Sequence, residues 1–407
     1  MSATHDPYAS LRHRDFRLFL SGKFLLTVAL QMQALVASWI IYQKTKDPFS
    51  LGLIGLTEAI PALSLALPGG YLADRFNRKT LATISTTMML VASALFVLVV
   101  MDETRTSSLW PAFSILFVIG LARGIYTPAQ AALWGQLLPP EKYVNGSVWN
   151  SSLWQIGAVA GPAAGGLCYA WLGASSTLII VCVLIAVTVI CYLVMHRQAD
   201  PKHVHGESIN TALRDGLRFF FSNKVLLPAV TLDLFAVLFG GAVALLPAFA
   251  DKILHCGPEG LGWLRAAPAI GAVIMATWLA FRPPGKGAGK LMLWCVAGFG
   301  VCMIAFALSD VFWISLGLLV LSGMLDNVSV VIRSTILQTH TPDGMRGRVA
   351  AVNSLFVGSS NEIGAFESGL AARLLGLVPS VIFGGSLTLL SVGLTAKLAP
   401  GLRKLNL

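Results

Sequence analysis

The sequence predicts an all-α membrane protein of twelve transmembrane helices, arranged as two pseudo-symmetric six-helix bundles. Three observations carry this. First, 56% of the 407 residues are hydrophobic and only 12% are charged, against roughly 45–50% and about 25% in soluble chains. Second, the apolar residues fall in long runs that are apolar all round. At about 20 residues per span plus a short loop, the length accommodates roughly a dozen helices. Barrel strands alternate polar and apolar residues over about ten positions, and these runs do not. Third, the chain echoes itself: Gln136-x-x-x-Pro140-Glu141 recurs as Gln338-x-x-x-Pro342-Asp343, and Ser152-Leu153 as Ser354-Leu355, at a constant offset of 202 residues. A repeat on that scale implies two homologous halves related by an axis along the membrane normal, with a substrate cavity between them.

The spans follow in order. After a polar segment (1–15), where no cleavable signal is expected, they fall at 16–42, 50–72, 80–101, 109–133, 144–171 and 174–195. A polar, basic stretch (196–224) interrupts them. Within it Ile209, Leu213, Leu217, Phe220 and Phe221 recur at helical spacing with Arg214, Asp215 and Arg218 between, which suits a helix on the membrane surface or a linker helix. Six more spans follow at 225–253, 261–281, 291–308, 312–332, 349–375 and 378–398. The domain organisation expected is therefore an N-terminal bundle (1–195), a cytoplasmic linker with an amphipathic helix (196–224) and a C-terminal bundle (225–407).

Orientation follows from the bases. With the N-terminus inside, the inner loops hold 21 Lys and Arg and the outer loops six, so both termini are expected in the cytoplasm of a bacterial-type inner membrane. The same positive-inside pattern accounts for the net charge of +10 without nucleic acid. The six cysteines, with no metal or redox spacing, read as small apolar residues. Cys256 is the exception, in a loop placed outside. Trp39, Trp134, Trp149, Trp154, Trp263 and Trp278 read mostly as an interfacial belt.

Between spans two and three lies Gly70-x-Leu72-Ala73-Asp74-Arg75-x-x-Arg78-Lys79. This resembles the signature loop of the major facilitator superfamily, with Asn77 where that family usually has Gly. Since Asn tolerates positive φ, the turn is expected to survive. The resemblance implies the major facilitator fold and a gate latch formed by Gly70, Asp74, Arg75, Arg78 and Lys79. In that latch the acid faces the N-terminus of span eleven. The symmetric loop, Arg282-Pro283-Pro284-Gly285-Lys286, has no acid. Gly161-Pro162-Ala163-Ala164-Gly165-Gly166 resembles the glycine-proline motif of the superfamily's exporters, and also suits close helix packing. The stretches 341–354 and 359–364 resemble the branch holding the enterobactin exporter and macrolide efflux proteins.

Ionisable residues within spans are costly, roughly 2.5–3.5 kcal/mol each on insertion scales, and mark function. Glu58, Arg123, Asp326, Glu362 and Glu367 lie deep, while Asp233 and Arg333 lie closer to one end. Gln31 and Gln33 are polar at depth in span one. All of these except Arg333 are the candidates for proton coupling or substrate contact; Arg123 and Asp326 sit one residue from symmetric positions, which suggests an ion pair between the two halves. Buried structural roles remain the alternative for Arg123, Glu362 and Glu367. No phosphate loop, metal set or nucleophile elbow occurs, so no catalytic residue, metal or cofactor is expected. The expected function is secondary transport of a small amphiphilic or siderophore-like molecule by a monomer, coupled to protons and directed outward. An uptake carrier for an anionic metabolite with Arg123 as anion site, or a non-transporting scaffold or receptor, are the alternatives.

Overall fold

A computed structural model describes residues 6, 8–102, 109–196, 217–223, 225–240, 242–282, 284–285, 287–342 and 345–405. Among these there are helices and no strands. The expected surface helix falls largely outside them; a helical piece at 217–222 is described, with Phe220 buried against Phe356.

The helices are α1 (Arg14–Thr45), α2 (Pro48–Arg75), α3 (Arg78–Met101), α4 (Trp110–Trp134), α5 (Tyr143–Val194), α6 (Leu226–Phe239), α7 (Ala242–Lys252), α8 (Gly257–Phe281), α9 (Ala288–Leu308), α10 (Phe312–Thr339), α11 (Arg346–Leu375), α12 (Leu377–Leu398) and the short α13 (Pro400–Arg403). Ten described segments are long and apolar enough to cross a membrane. One of them, containing α5, supplies two passes, because Gly173 (φ 79, ψ 175) breaks its helical geometry. That conformation is open to glycine and strained for other residues. The seventh span is α6 and α7 together, interrupted after Phe239. α11 reaches spanning length at 30 residues but is the most polar helix of its size, owing to Arg346, Arg348, Asn353, Asn361, Glu362, Glu367 and Arg373.

The burial pattern is that of a membrane protein. Large apolar side chains stand exposed along the spans, among them Val91, Leu98, Ile190 and Leu394. Trp110, Trp171, Trp294 and Trp313 are the most exposed tryptophans, at 75–80%. Trp39, expected in the interfacial belt, is instead buried.

Two compact units divide the chain: Met1–Ile41 with Thr57–Val204, and Tyr42–Leu56 with His205–Leu407. The core of the first gathers Phe16, Phe19, Met89, Tyr126, Ile185 and Tyr192 from α1, α3, α4 and α5. Close approach of α1 and α5 is set by small residues: a Cβ on Gly161 would stand 2.6 Å from Gln31 Cβ, and one on Gly165 3.0 Å from Met32 Cα. Pro162 and Gly166 are buried beside them. The glycine-proline stretch thus packs helix on helix. The core of the second unit gathers Leu226, Leu232, Met292, Val296, Ile332 and Val352 from α6, α9, α10 and α11. The second unit also takes in the turn between α1 and α2. There Gly52 abuts the backbone of Phe366, Lys46 pairs with Asp251 at 2.9 Å, and Gln43 donates to the same carboxylate at 2.8 Å.

The signature segment departs from expectation. α2 continues to Arg75 and α3 starts at Arg78, so only Phe76 and Asn77 join them. Asn77 has φ −60 and ψ 119, not positive φ, and its side chain accepts from Thr80 N. It is an N-cap: the extended backbone and the amide oxygen satisfy a first-turn N–H that a glycine would leave to water.

Candidate functional site

The signature residues occupy two facing helix ends. Gly70 lies within α2 with open space beside its Cα. Asp74 is exposed in the last turn and 3.9 Å from Arg78. A carboxylate there meets the negative end of its own helix, and so distant and exposed a pair contributes little. The bases are better engaged. Arg78 donates to the carbonyls of Ala73 and Ala132, each at 3.2 Å, and Lys79 to those of Leu193 and Met195. Both therefore tie off terminal carbonyls that helices leave unsatisfied. They bring together the ends of α2, α4 and α5 within the first unit. Arg75 accepts no such role; its guanidinium donates to Tyr71 Oη at 2.8 Å.

Deep in the first unit, Arg123 Nη1 lies 2.7 Å from Glu58 Oε2. The pair exists because α2 and α4 nearly touch. A Cβ on Gly120 would stand 2.4 Å from the Glu58 carbonyl oxygen, and one on Gly124 2.9 Å from that of Ala62. Glu58 is largely buried, while 40% of the Arg123 side chain stays exposed. Arg123 thus finds its acid in its own unit. Gln33 is buried and accepts from Ser93 Oγ at 2.8 Å, with no partner for its amide nitrogen among the described residues. Gln31 is half-buried where Gly161 meets α1.

The second unit holds the more deeply buried set. Asp233 on α6 and Arg333 on α10 form an ion pair with side-chain exposures of 5% and 8%. Asp326, two turns before Arg333 on α10, is half-buried and within the field of both. Glu362 and Glu367 are half-buried on α11; Glu367 shares a hydrogen bond with Ser368. A Cβ on Gly55 would come within 3.5 Å of Glu362 Oε2.

Some polar contacts at depth were not singled out by spacing. Lys23 lies nine residues inside α1 and donates to Asn150 Oδ1 at 2.7 Å. Tyr126 and Tyr192 share a buried hydroxyl contact of 2.8 Å. Cys256 lies at the head of α8, half-buried, and burial pushes its thiol up to about 11. A groove between α3 and α4, lined by Thr83, Thr87, Leu95, Ile115 and Val118, holds none of the charged candidates.

Sequence and structure comparisons agree with this architecture. The chain is 24% identical over 387 residues to the multidrug efflux pump Tap of Mycolicibacterium fortuitum, covering 91% of each. It is equally 24% identical over 387 residues to the enterobactin exporter EntS of Shigella boydii serotype 18, covering 93% of this chain and 91% of that one. Its backbone resembles the crystal structure of a POT family transporter in complex with 5-aminolevulinic acid, with a TM-score of 0.75 at 13% identity over 96% of this chain and 97% of that one. The family model described as Major Facilitator Superfamily matches residues 19–365. The chain is a multi-pass membrane transport protein and belongs to the Major Facilitator Superfamily.

Proposed function

We propose that the chain exports a small amphiphilic molecule by alternating access, driven by proton antiport across a bacterial-type inner membrane, with both termini cytoplasmic. The observation that carries this is the charge inside the spans. Each unit holds an acid–base pair within its spans, Glu58–Arg123 with the acid largely buried and Asp233–Arg333 buried on both sides. The second unit adds further carboxyls, Asp326, Glu362 and Glu367, at membrane depth. Packing alone does not call for these, since an apolar side chain would cost less. A carboxyl that alternates between an arginine and apolar surroundings loads a proton in one state and releases it in the other.

Direction rests on the exporter-like glycine-proline stretch and on the efflux names of Tap and EntS. Uptake of an anion at Arg123 is disfavoured by the Glu58 carboxylate already on its guanidinium. Asp74, with Arg75 and Arg78, serves as a gate latch on the cytoplasmic face, not as a substrate contact. The two bodies that move against each other are the N-terminal (1–195) and C-terminal (225–407) bundles.

Everted membrane vesicles test the reading. An imposed gradient, acid inside, is expected to drive accumulation of a fluorescent amphiphile only when the chain is present. Accumulation that persists after an uncoupler collapses the gradient would sink proton antiport.

A further inference from the structure

The export reading leaves the chemical class of the substrate open, and one base in the first unit narrows it. Lys23, Thr27 and Gln31 stand at i, i+4 and i+8 on α1, so they share one face of that helix. The face packs on α5: a Cβ on Gly157 would stand 3.0 Å from Thr27 Cγ2, and one on Gly161 2.6 Å from Gln31 Cβ. Lys23 lies four residues before Thr27, and Asn150 seven before Gly157. The lysine therefore reaches back toward the start of its helix, as long helical side chains do, and its ammonium donates to Asn150 Oδ1 at 2.7 Å. Arg123 and Arg333 each meet a carboxylate, Glu58 and Asp233. Lys23 meets a neutral amide and, among the described residues, no carboxylate.

The pair has donors to spare. An ammonium carries three N–H donors and an amide nitrogen two. One ammonium hydrogen goes to Asn150 Oδ1, and that contact leaves the amide nitrogen for another acceptor. The remaining donors, two on Lys23 and two on Asn150, have no acceptor among the described residues. Both residues are half-buried, so a bound molecule can reach them. A positive charge held inside a span is costly until an anion neutralises it. We infer that Lys23 and Asn150 bind the anionic headgroup of the transported amphiphile, an oxyanion such as a sulfonate, carboxylate or phosphate.

The neighbours on α5 fit such a ligand. Ser147, Ser151 and Trp154 stand at i−3, i+1 and i+4 from Asn150, on its side of the helix, and all three are exposed. Exposed hydroxyls beside an ammonium suit a polar headgroup. Trp154, one turn further into the span and 51% exposed, offers its ring to the apolar body. A cationic substrate meets repulsion from Lys23, and a neutral one leaves its charge uncompensated.

The role of this site rests on the export reading, but its binding does not, and binding is what the test measures. The purified full-length chain in phosphatidylcholine nanodiscs is titrated calorimetrically with anilinonaphthalene sulfonate and with phenylnaphthylamine, the same rings without the sulfonate. The wild type is expected to bind the sulfonate at a saturable site, roughly tenfold more tightly than the neutral dye or better, the scale of a hydrogen bond to a charged group. Lys23→Gln is expected to lose that preference and to leave binding of the neutral dye unchanged. Asn150→Asp supplies Lys23 with a carboxylate of its own, so it should fold and lose the preference too. A wild type that binds both dyes equally overturns the inference. So does an Asn150→Asp variant that binds the sulfonate as the wild type does, whether or not Lys23→Gln folds. Variants that melt earlier but keep the preference would show that Lys23 only fastens α1 to α5, and overturn it as well. Loss of sulfonate binding when phosphatidylglycerol is added to the nanodiscs would give the site to a lipid headgroup and overturn its assignment to a transported solute. A chain that binds the sulfonate through Lys23 yet moves nothing in vesicles overturns the export reading alone.

Discussion

Arg333→Gln removes the counter-charge paired with Asp233, a carboxylate 3% exposed to solvent. Leaving one member of a buried ion pair alone costs about 3–5 kcal/mol, whereas replacing both by neutral groups of similar volume is often close to neutral. For a compact body of roughly 200 residues, each kcal/mol moves the midpoint by about 2–4 °C. Arg333→Gln should therefore lower the apparent Tm by on the order of 10 °C. Adding Asp233→Asn should restore most of that loss, giving a large coupling in the double-mutant cycle. All six cysteines are free, and each is buried or half-buried, so a thiol-reactive dye reports unfolding. Unfolding in detergent is often irreversible, and the variants must be compared at one scan rate. If the double variant is as unstable as Arg333→Gln alone, the pair is not what holds α6 to α10, and the charge account of this unit fails.

Two other predictions concern the signature segment and the thiol. Asp74 is exposed and weakly paired, so Asp74→Asn is expected to slow transport in vesicles while leaving substrate affinity nearly unchanged; a large loss of affinity would place it in the binding path. Cys256, with its thiol near 11 in place of 9, should carry a thiolate fraction at pH 8 about 90-fold lower than an ordinary cysteine. Maleimide labelling of Cys256 at the rate of a free thiol would show that α8 leaves that residue open.

The long spans were legible because run length and all-round apolarity are properties of the chain alone. So was the break between spans five and six, which falls at Gly173, the one residue there able to adopt its backbone angles. The turn after α2 was misjudged at Asn77 because Asn serves both positive φ and N-caps, and spacing does not separate the two. The partner of Arg123 was not legible either. It depends on how closely α2 and α4 approach, which Gly120 and Gly124 set. Nor does the sequence reveal that the 42–56 turn joins the second unit, because that rests on contacts such as Lys46 with Asp251, 205 residues apart. The deep carboxyls were visible one by one. Which of them share a field was a matter of packing.

The central claim is that intramembrane carboxyls carry protons against a transported molecule. Its most direct test is proton movement in proteoliposomes holding the purified chain, a pH-sensitive dye and an imposed substrate gradient. The wild type and the single variants Glu58→Gln, Asp326→Asn, Glu362→Gln and Glu367→Gln are compared. The account predicts that substrate flux drives a counterflow of protons in the wild type and that at least one variant, Asp326→Asn first, loses it. Undiminished coupling in all four variants, or substrate flux with no proton movement in the wild type, would contradict it.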